Sequence, residues 1–257
     1  MAKKHVALLA ILLGVFVVTG CDDFYSTSWG IRRVYDPAKI TLTRDNLDDW
    51  ITIATGNPEL AEALAEKIKG MVEGMGDTEE RAEFQSAGVQ LAMEASGLGT
   101  GLLSNIEKAA ELIDAKDDID EALVALLNTL RQGFNWAVPK LVAAIVKPSI
   151  SDTPPEFTPT YKSGTSATDV GDAAIILIVA TAGDTSELTA EFQRLFKVGE
   201  SAGKKTFTPK PDISDPDNIH LALAAYLNFI AAEEGKKFDD NPITKSLKDV
   251  IKQTGTN

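Results

Sequence analysis

Helix-capping residues recur at short intervals along most of this chain, and that punctuation restricts its folding more than any other feature. Thr43 can cap a helix running through Ala54, and Asn57 followed by Pro58 starts another that Gly74 or Gly76 ends. Asp77 with Glu80, Ser104 with Glu107, and Asp184 with Glu187 have the spacing of reciprocal capping boxes. Asp117 opens a segment in which Ile119, Leu123, Leu126, Leu127 and Leu130 share one helical face, and Leu188, Phe192, Leu195 and Phe196 do the same further on. Asp215 with Pro216 begins a helix that turns Ile219, Leu223, Tyr226, Leu227 and Ile230 inward and ends at Gly235. Asn241 with Pro242 begins the last one, stopped by Gly255.

Two stretches lack a polar face. Residues 136–146 are apolar almost all round, so they are expected to lie deep, with Pro139 near a helix start. The run AAIILIVATA at 173–182 is rich in β-branched residues, but no partner strand is visible elsewhere, which makes it a buried central helix. The expectation is an all-α fold of about ten helices, an irregular multi-helix bundle or stacked helical hairpins of α-solenoid type. The helix starts show no constant spacing, and the marks of the roughly 34-residue tetratricopeptide unit do not align.

Composition narrows the function. The chain has 257 residues, 44% of them hydrophobic, enough for a real core in one large or two small domains. Its 38 acidic side chains outnumber 25 basic ones, a formal charge of −13 that argues against nucleic acid as a partner. A single cysteine makes no internal disulfide, thiolate zinc site or iron–sulfur cluster.

That cysteine has its own context. Lys3 and Lys4 precede thirteen apolar or small residues at 6–18, too short for a membrane span, which needs about 20 helical residues, but suited to a signal-peptide core. Val18-Thr19-Gly20-Cys21 then resembles the lipobox of bacterial lipoproteins. The resemblance implies lipidation of the Cys21 sulfur and cleavage after Gly20, and two or three acyl chains give lasting membrane attachment. In such lipoproteins of enteric bacteria an aspartate after the cysteine marks retention at the inner membrane, and Asp22 and Asp23 match that sorting position. Cleavage removes Lys3 and Lys4, leaving 23 basic against 38 acidic residues, a charge of −15. Anionic headgroups repel such a body, so the lipid must hold it.

The organisation expected is a signal peptide at 1–20, a lipidated arm at 21–42 whose aromatic segment at 24–35 packs along the body, and an all-α domain at 43–257. Residues 148–166 interrupt that domain with four prolines and eight serines or threonines. Loops beyond about 12–15 residues are uncommon in compact domains, so this one reads either as a divider between two helical subdomains or as a strap anchored by Phe157 and Tyr161 beside a ligand or partner. A second interruption at 200–214 carries Lys204, Lys205 and Lys210.

Reactive constellations are sparse. Once His5 leaves with the signal, His220 is the only histidine, and it reads as structural. GESAGKKT at 199–206 fails as a phosphate-binding loop, with three residues between its glycines and a lysine where the magnesium-binding hydroxyl is needed. Glu94 lacks the serine that directly follows the catalytic glutamate of lytic transglycosylases. Asp114, Asp117, Asp118 and Asp120, and Asp212, Asp215, Asp217 and Asn218, are oxygen-rich but lack the EF-hand glycine and final glutamate, and helix capping accounts for Asp117 and Asp215. Gly97, Gly99 and Gly101 suit a sharp reversal between helices.

No catalytic, metal or cofactor site is therefore expected. The reading is a non-enzymatic envelope lipoprotein, exported and anchored with the inner membrane favoured over the outer, that binds an envelope protein or a small ligand through a helical groove. The alternatives are an accessory subunit of a solute-uptake system and a carboxylate-based cell-wall hydrolase.

Overall fold

The computed structural model describes residues 35–76, 78–98, 119–146, 154–156, 167–182, 186–233 and 242–256. Residues Met1–Ile40 and Thr41–Asn257 form two separate units. In the first, the described part holds a 3₁₀ turn at Pro37–Lys39, capped by Asp36, whose side chain accepts from the Ala38 amide at 3.1 Å.

The second unit is helical. A 3₁₀ turn at Arg44–Asn46 leads into α1 (Leu47–Ala54), followed by α2 (Pro58–Gly74), α3 (Glu79–Ala95), α4 (Ile119–Leu130), α5 (Val138–Val146), α6 (Ala167–Thr181) and α7 (Leu188–Leu195). A β-hairpin of β1 (Phe196–Ser201) and β2 (Lys204–Pro209) comes next, then α8 (Ile219–Ala232) and α9 (Pro242–Gln253). The fold class is all-α, an irregular multi-helix assembly with nine α-helices among the described residues.

Local chemistry sets most boundaries. The Asn57 side chain accepts from the Leu60 amide at the start of α2, with Pro58 in the first turn. Thr43 and Asn46 form a reciprocal box in which the Asn46 side chain accepts from the Thr43 amide at 2.8 Å. At α3 the cap is Thr78, accepting from the Arg81 amide, in place of the expected Asp77 box. Asp77 itself, Ser104, Glu107, Asp114, Asp117, Asp118, Asp184 and Asn241 lie outside the described residues.

α6 is the central helix. Its Val170 and residues 173–179 are buried, and it packs against α3, α4, α5, α8 and α9. Surrounded by helices on all sides, the β-branched run takes the helical form because tertiary burial outweighs its strand preference. α2, α3 and α5 meet at Gly88, where a Cβ would stand 3.0 Å from Ile68 Cγ2 and 3.1 Å from Ile145 Cδ1, so the absent side chain permits the close approach. Gln85 of α3 donates to the Ile145 and Val146 carbonyls, satisfying the last turn of α5.

Three expectations are corrected. Trp136 is 59% exposed, because α5 starts only at Val138 and the indole sits in the preceding turn, edge-on to Phe134 at 5.2 Å. Phe196 leaves the α7 face and begins β1. The interruption at 200–214 is largely β2 and its turn, not an irregular loop.

Candidate functional site

The hairpin is a local consequence of alternation. Phe196 and Val198 point inward on β1, and Val198 pairs with Phe207 on β2. Phe192, Phe196 and Phe207 form a buried triangle with ring centroids 6.0–6.3 Å apart, fixing the hairpin to the end of α7. Ala202 and Gly203, with φ of 52° and 76°, make the two-residue reversal of positive-φ type that matches strand twist. From α8, Asn228 reaches β2: its Oδ1 accepts from the Phe207 amide at 2.6 Å, and its Nδ2 donates to the Phe207 and Pro155 carbonyls. The described part of the proline-rich segment is thereby tied to the junction of hairpin and helix.

α9 is amphipathic. Leu247, Val250 and Ile251 are buried, and Lys248 is half-buried with Lys252 exposed one turn beyond it. The hairpin tip, the last turn of α8 and this face of α9 enclose a cleft of about 360 Å³. Among the described residues, Lys204, Lys205, Lys248 and Lys252 line it with Glu200 as the one acid, and Ala231 and Ile251 supply apolar wall. Four lysines against one glutamate give this described lining a formal charge of +3 on a chain of −13.

Three of the four ammonium groups are positioned by the contacts that follow. Lys204 Nζ donates to the Ala232 carbonyl at 2.9 Å, offsetting the negative end of α8. Lys205, with its side chain 18% exposed, pairs across the strands with Glu200 at 3.2 Å. Lys252 pairs with Asp249 at 3.0 Å. An ammonium has three donors, so each can add a ligand oxygen to the bonds it makes. This cleft can hold an anion.

Other titratable groups gather in two places. Asp169, in the first turn of α6, accepts from the Ser86 hydroxyl and from Gln90 Nε2. One turn on, burial pushes the Asp172 carboxyl up to about 7, with the Asp169 charge adding to the rise. Elsewhere, burial lowers the His220 imidazole below its ordinary value, while Asp215, with an oxygen 3.6 Å from Nδ1, pulls the other way. Arg194 makes a two-point contact to the buried Glu191 nearby, at 2.9 and 2.7 Å.

The other residues singled out by sequence hold the fold. Glu94 accepts from the Gly56 amide at 2.7 Å, anchoring the turn between α1 and α2. Asp120 caps α7, accepting from the Leu188 and Thr189 amides. Asp215 accepts from the Leu221 amide at 2.8 Å, and Asp217 pairs with Lys140 at 2.8 Å. Residues 199–206, which superficially resemble a phosphate loop, form the hairpin, where Gly199 opposes Thr206. Cys21, Asp22, Asp23, Phe157 and Tyr161 lie outside the described residues. Among the described residues no group of three or more histidine, cysteine or acidic side chains is arranged to hold a metal ion. No helix among them is long and apolar enough to cross a membrane.

Sequence spacing alone does not reveal the cleft. Lys204 and Lys205 stand in the sequence, and the signal that places them is Ala202-Gly203 between Phe196 and Val198, which share one strand face, and Phe207 across the turn. No family model, no curated protein and no solved structure matches this chain.

Proposed function

We propose that this chain is a non-enzymatic lipoprotein of the bacterial cell envelope, exported, held to the membrane through acylated Cys21, and engaging a small ligand through the cleft between the hairpin, α8 and α9. Val18-Thr19-Gly20-Cys21 behind its lysine-led apolar run supports the anchor. The binding half rests on one observation: a cleft of about 360 Å³ lined by four lysines on a strongly acidic chain. That volume lies at the small end of ligand sites, which favours a small molecule over a protein partner.

An accessory role in solute uptake is the second reading. Asn228, which holds Pro155 of the proline-rich segment, lies one turn before Ala231 in the cleft wall. In this reading the segment at 148–166 is a strap bordering a ligand cavity, and the Asn228–Pro155 bond supports it.

The test is metabolic labelling with an alkynyl palmitate analogue in a bacterial host, followed by membrane fractionation. The wild-type chain should carry label and sediment with membranes, and Cys21→Ala should lose both. A wild-type chain without label, recovered free of membranes, would overturn the anchor.

A further inference from the structure

We infer that the cleft between β2, α8 and α9 is a binding site for a phosphate-bearing ligand; this deepens the proposed function by naming the ligand class, and rests on it only for the place where the protein works. Lys204 and Lys205 come from β2, and Lys248 and Lys252 from α9, so two separate elements deliver ammonium groups to one concavity. Convergent cations repel one another, and on a chain of −13 four of them line this cleft among the described residues, with Glu200 beside Lys205 and Asp249 beside Lys252 as their acidic partners. Lys204, Lys205 and Lys248 are half-buried, so the repulsion among them is less screened than at the open surface. A dianionic ligand with several oxygens relieves it.

Phosphate fits better than carboxylate. A phosphate monoester carries about −1.5 to −2 charge near neutrality and three acceptor oxygens. Lysine binds phosphate as a point charge, whereas planar carboxylate recognition favours the guanidinium fork, and no arginine lines this cleft among the described residues. Lys204 already covers the Ala232 carbonyl, so the negative end of α8 is masked where the anion would approach. Ala231 and Ile251 leave apolar wall for a small organic group attached to the phosphate. The phosphate can belong to a free solute or to a lipid headgroup.

The experiment is calorimetric titration of inorganic phosphate into the full chain, held in phosphatidylcholine nanodiscs at constant ionic strength. Saturable binding with a dissociation constant below about 1 mM is expected. Lys248→Gln and Lys252→Gln together should weaken it at least about tenfold, and Lys69→Gln on α2, outside the cleft, should leave it unchanged. A melting curve for each variant separates lost binding from lost folding. Repeating the titration with phosphatidylglycerol in the nanodisc identifies the source: weaker apparent phosphate binding means that headgroups compete for the cleft, and unchanged binding means a free solute. Absence of saturable binding, equal losses in the cleft and Lys69→Gln variants, or citrate binding as tightly as phosphate would overturn the inference. Failure of Cys21 labelling with phosphate binding intact removes the anchor and keeps the ligand.

Discussion

Asp120, in the first turn of α4, accepts hydrogen bonds from the Thr189 amide at 3.0 Å and from the Thr189 hydroxyl at 2.7 Å. The same carboxylate accepts from the Leu188 amide, so a residue nearly seventy positions earlier caps α7, whose own N-cap residue, Glu187, makes no side-chain capping bond. Because Asp120 is buried, removing it strands these donors away from water. Asp120→Ala should cost about 2–4 kcal/mol, with Asp120→Asn losing less because one oxygen remains. Thermal melts followed by circular dichroism check this, and a loss below about 0.5 kcal/mol for the alanine variant would deny the cap its role.

Caps of this kind mark the boundary of what the sequence could reveal. Asn57 and Thr43 act on amides within three residues, so their helices were legible from local spacing. Asp120 acts across the chain, and nothing near Leu188 announces it. Phe196 completes the spacing of the α7 face and equally starts the alternation with Val198; the three-phenylalanine packing, a tertiary fact, decides for the strand. The cleft was illegible for the same reason. Lys204 and Lys248 lie on elements separated by the whole of α8, and only the fold brings them together.

Stability should fall as pH rises through neutrality, and Asp172 is the cause. Burial raises its carboxyl from 3.8 to about 7, with Asp169 as the charged neighbour. The folded chain therefore holds this proton more tightly than the unfolded one. The contribution is complete below about 3.8 and is lost as pH climbs through about 7. Asp172→Asn, neutral at every pH, should be about 1–3 kcal/mol more stable than wild type at pH 8 and nearly equal to it at pH 4. Urea denaturation at the two pH values reads the difference, and an unchanged gap between variant and wild type would refute the shift.

Gly97 and Gly133 make a matched pair for separating strain from crowding. Both have positive φ, 80° and 81°, but a Cβ on Gly97 would stand 3.1 Å from the Gly133 carbonyl oxygen, and one on Gly133 meets nothing within 4 Å. Gly133→Ala should cost about 1 kcal/mol from the backbone alone. Gly97→Ala should cost about 1 kcal/mol more, because the turn after α4 must shift away from the end of α3, where Asn135 now donates to the Ser96 carbonyl at 3.0 Å. Equal losses in chemical denaturation would show that the close approach carries no weight.

The hairpin tip offers a gain of stability that also bears on the cleft. Ala202 sits at φ 52°, a left-handed conformation that costs an L-residue with a Cβ about 1–2 kcal/mol, whereas asparagine adopts it with less penalty and precedes glycine in the preferred reversal. Ala202→Asn should therefore stabilise the protein by about 0.5–1 kcal/mol, raising the melting temperature by about 1–4 °C. Ala202→Val, β-branched in the same conformation, should lower it by at least as much. Gly203 lines the cleft, and Lys204 follows directly, so the tip conformation sets where two of the lysines stand. Phosphate affinity should accordingly hold in Ala202→Asn and weaken in Ala202→Val, measured by the same titration. If the valine variant melted lower yet bound phosphate as tightly as wild type, the tip would not be what positions Lys204 and Lys205.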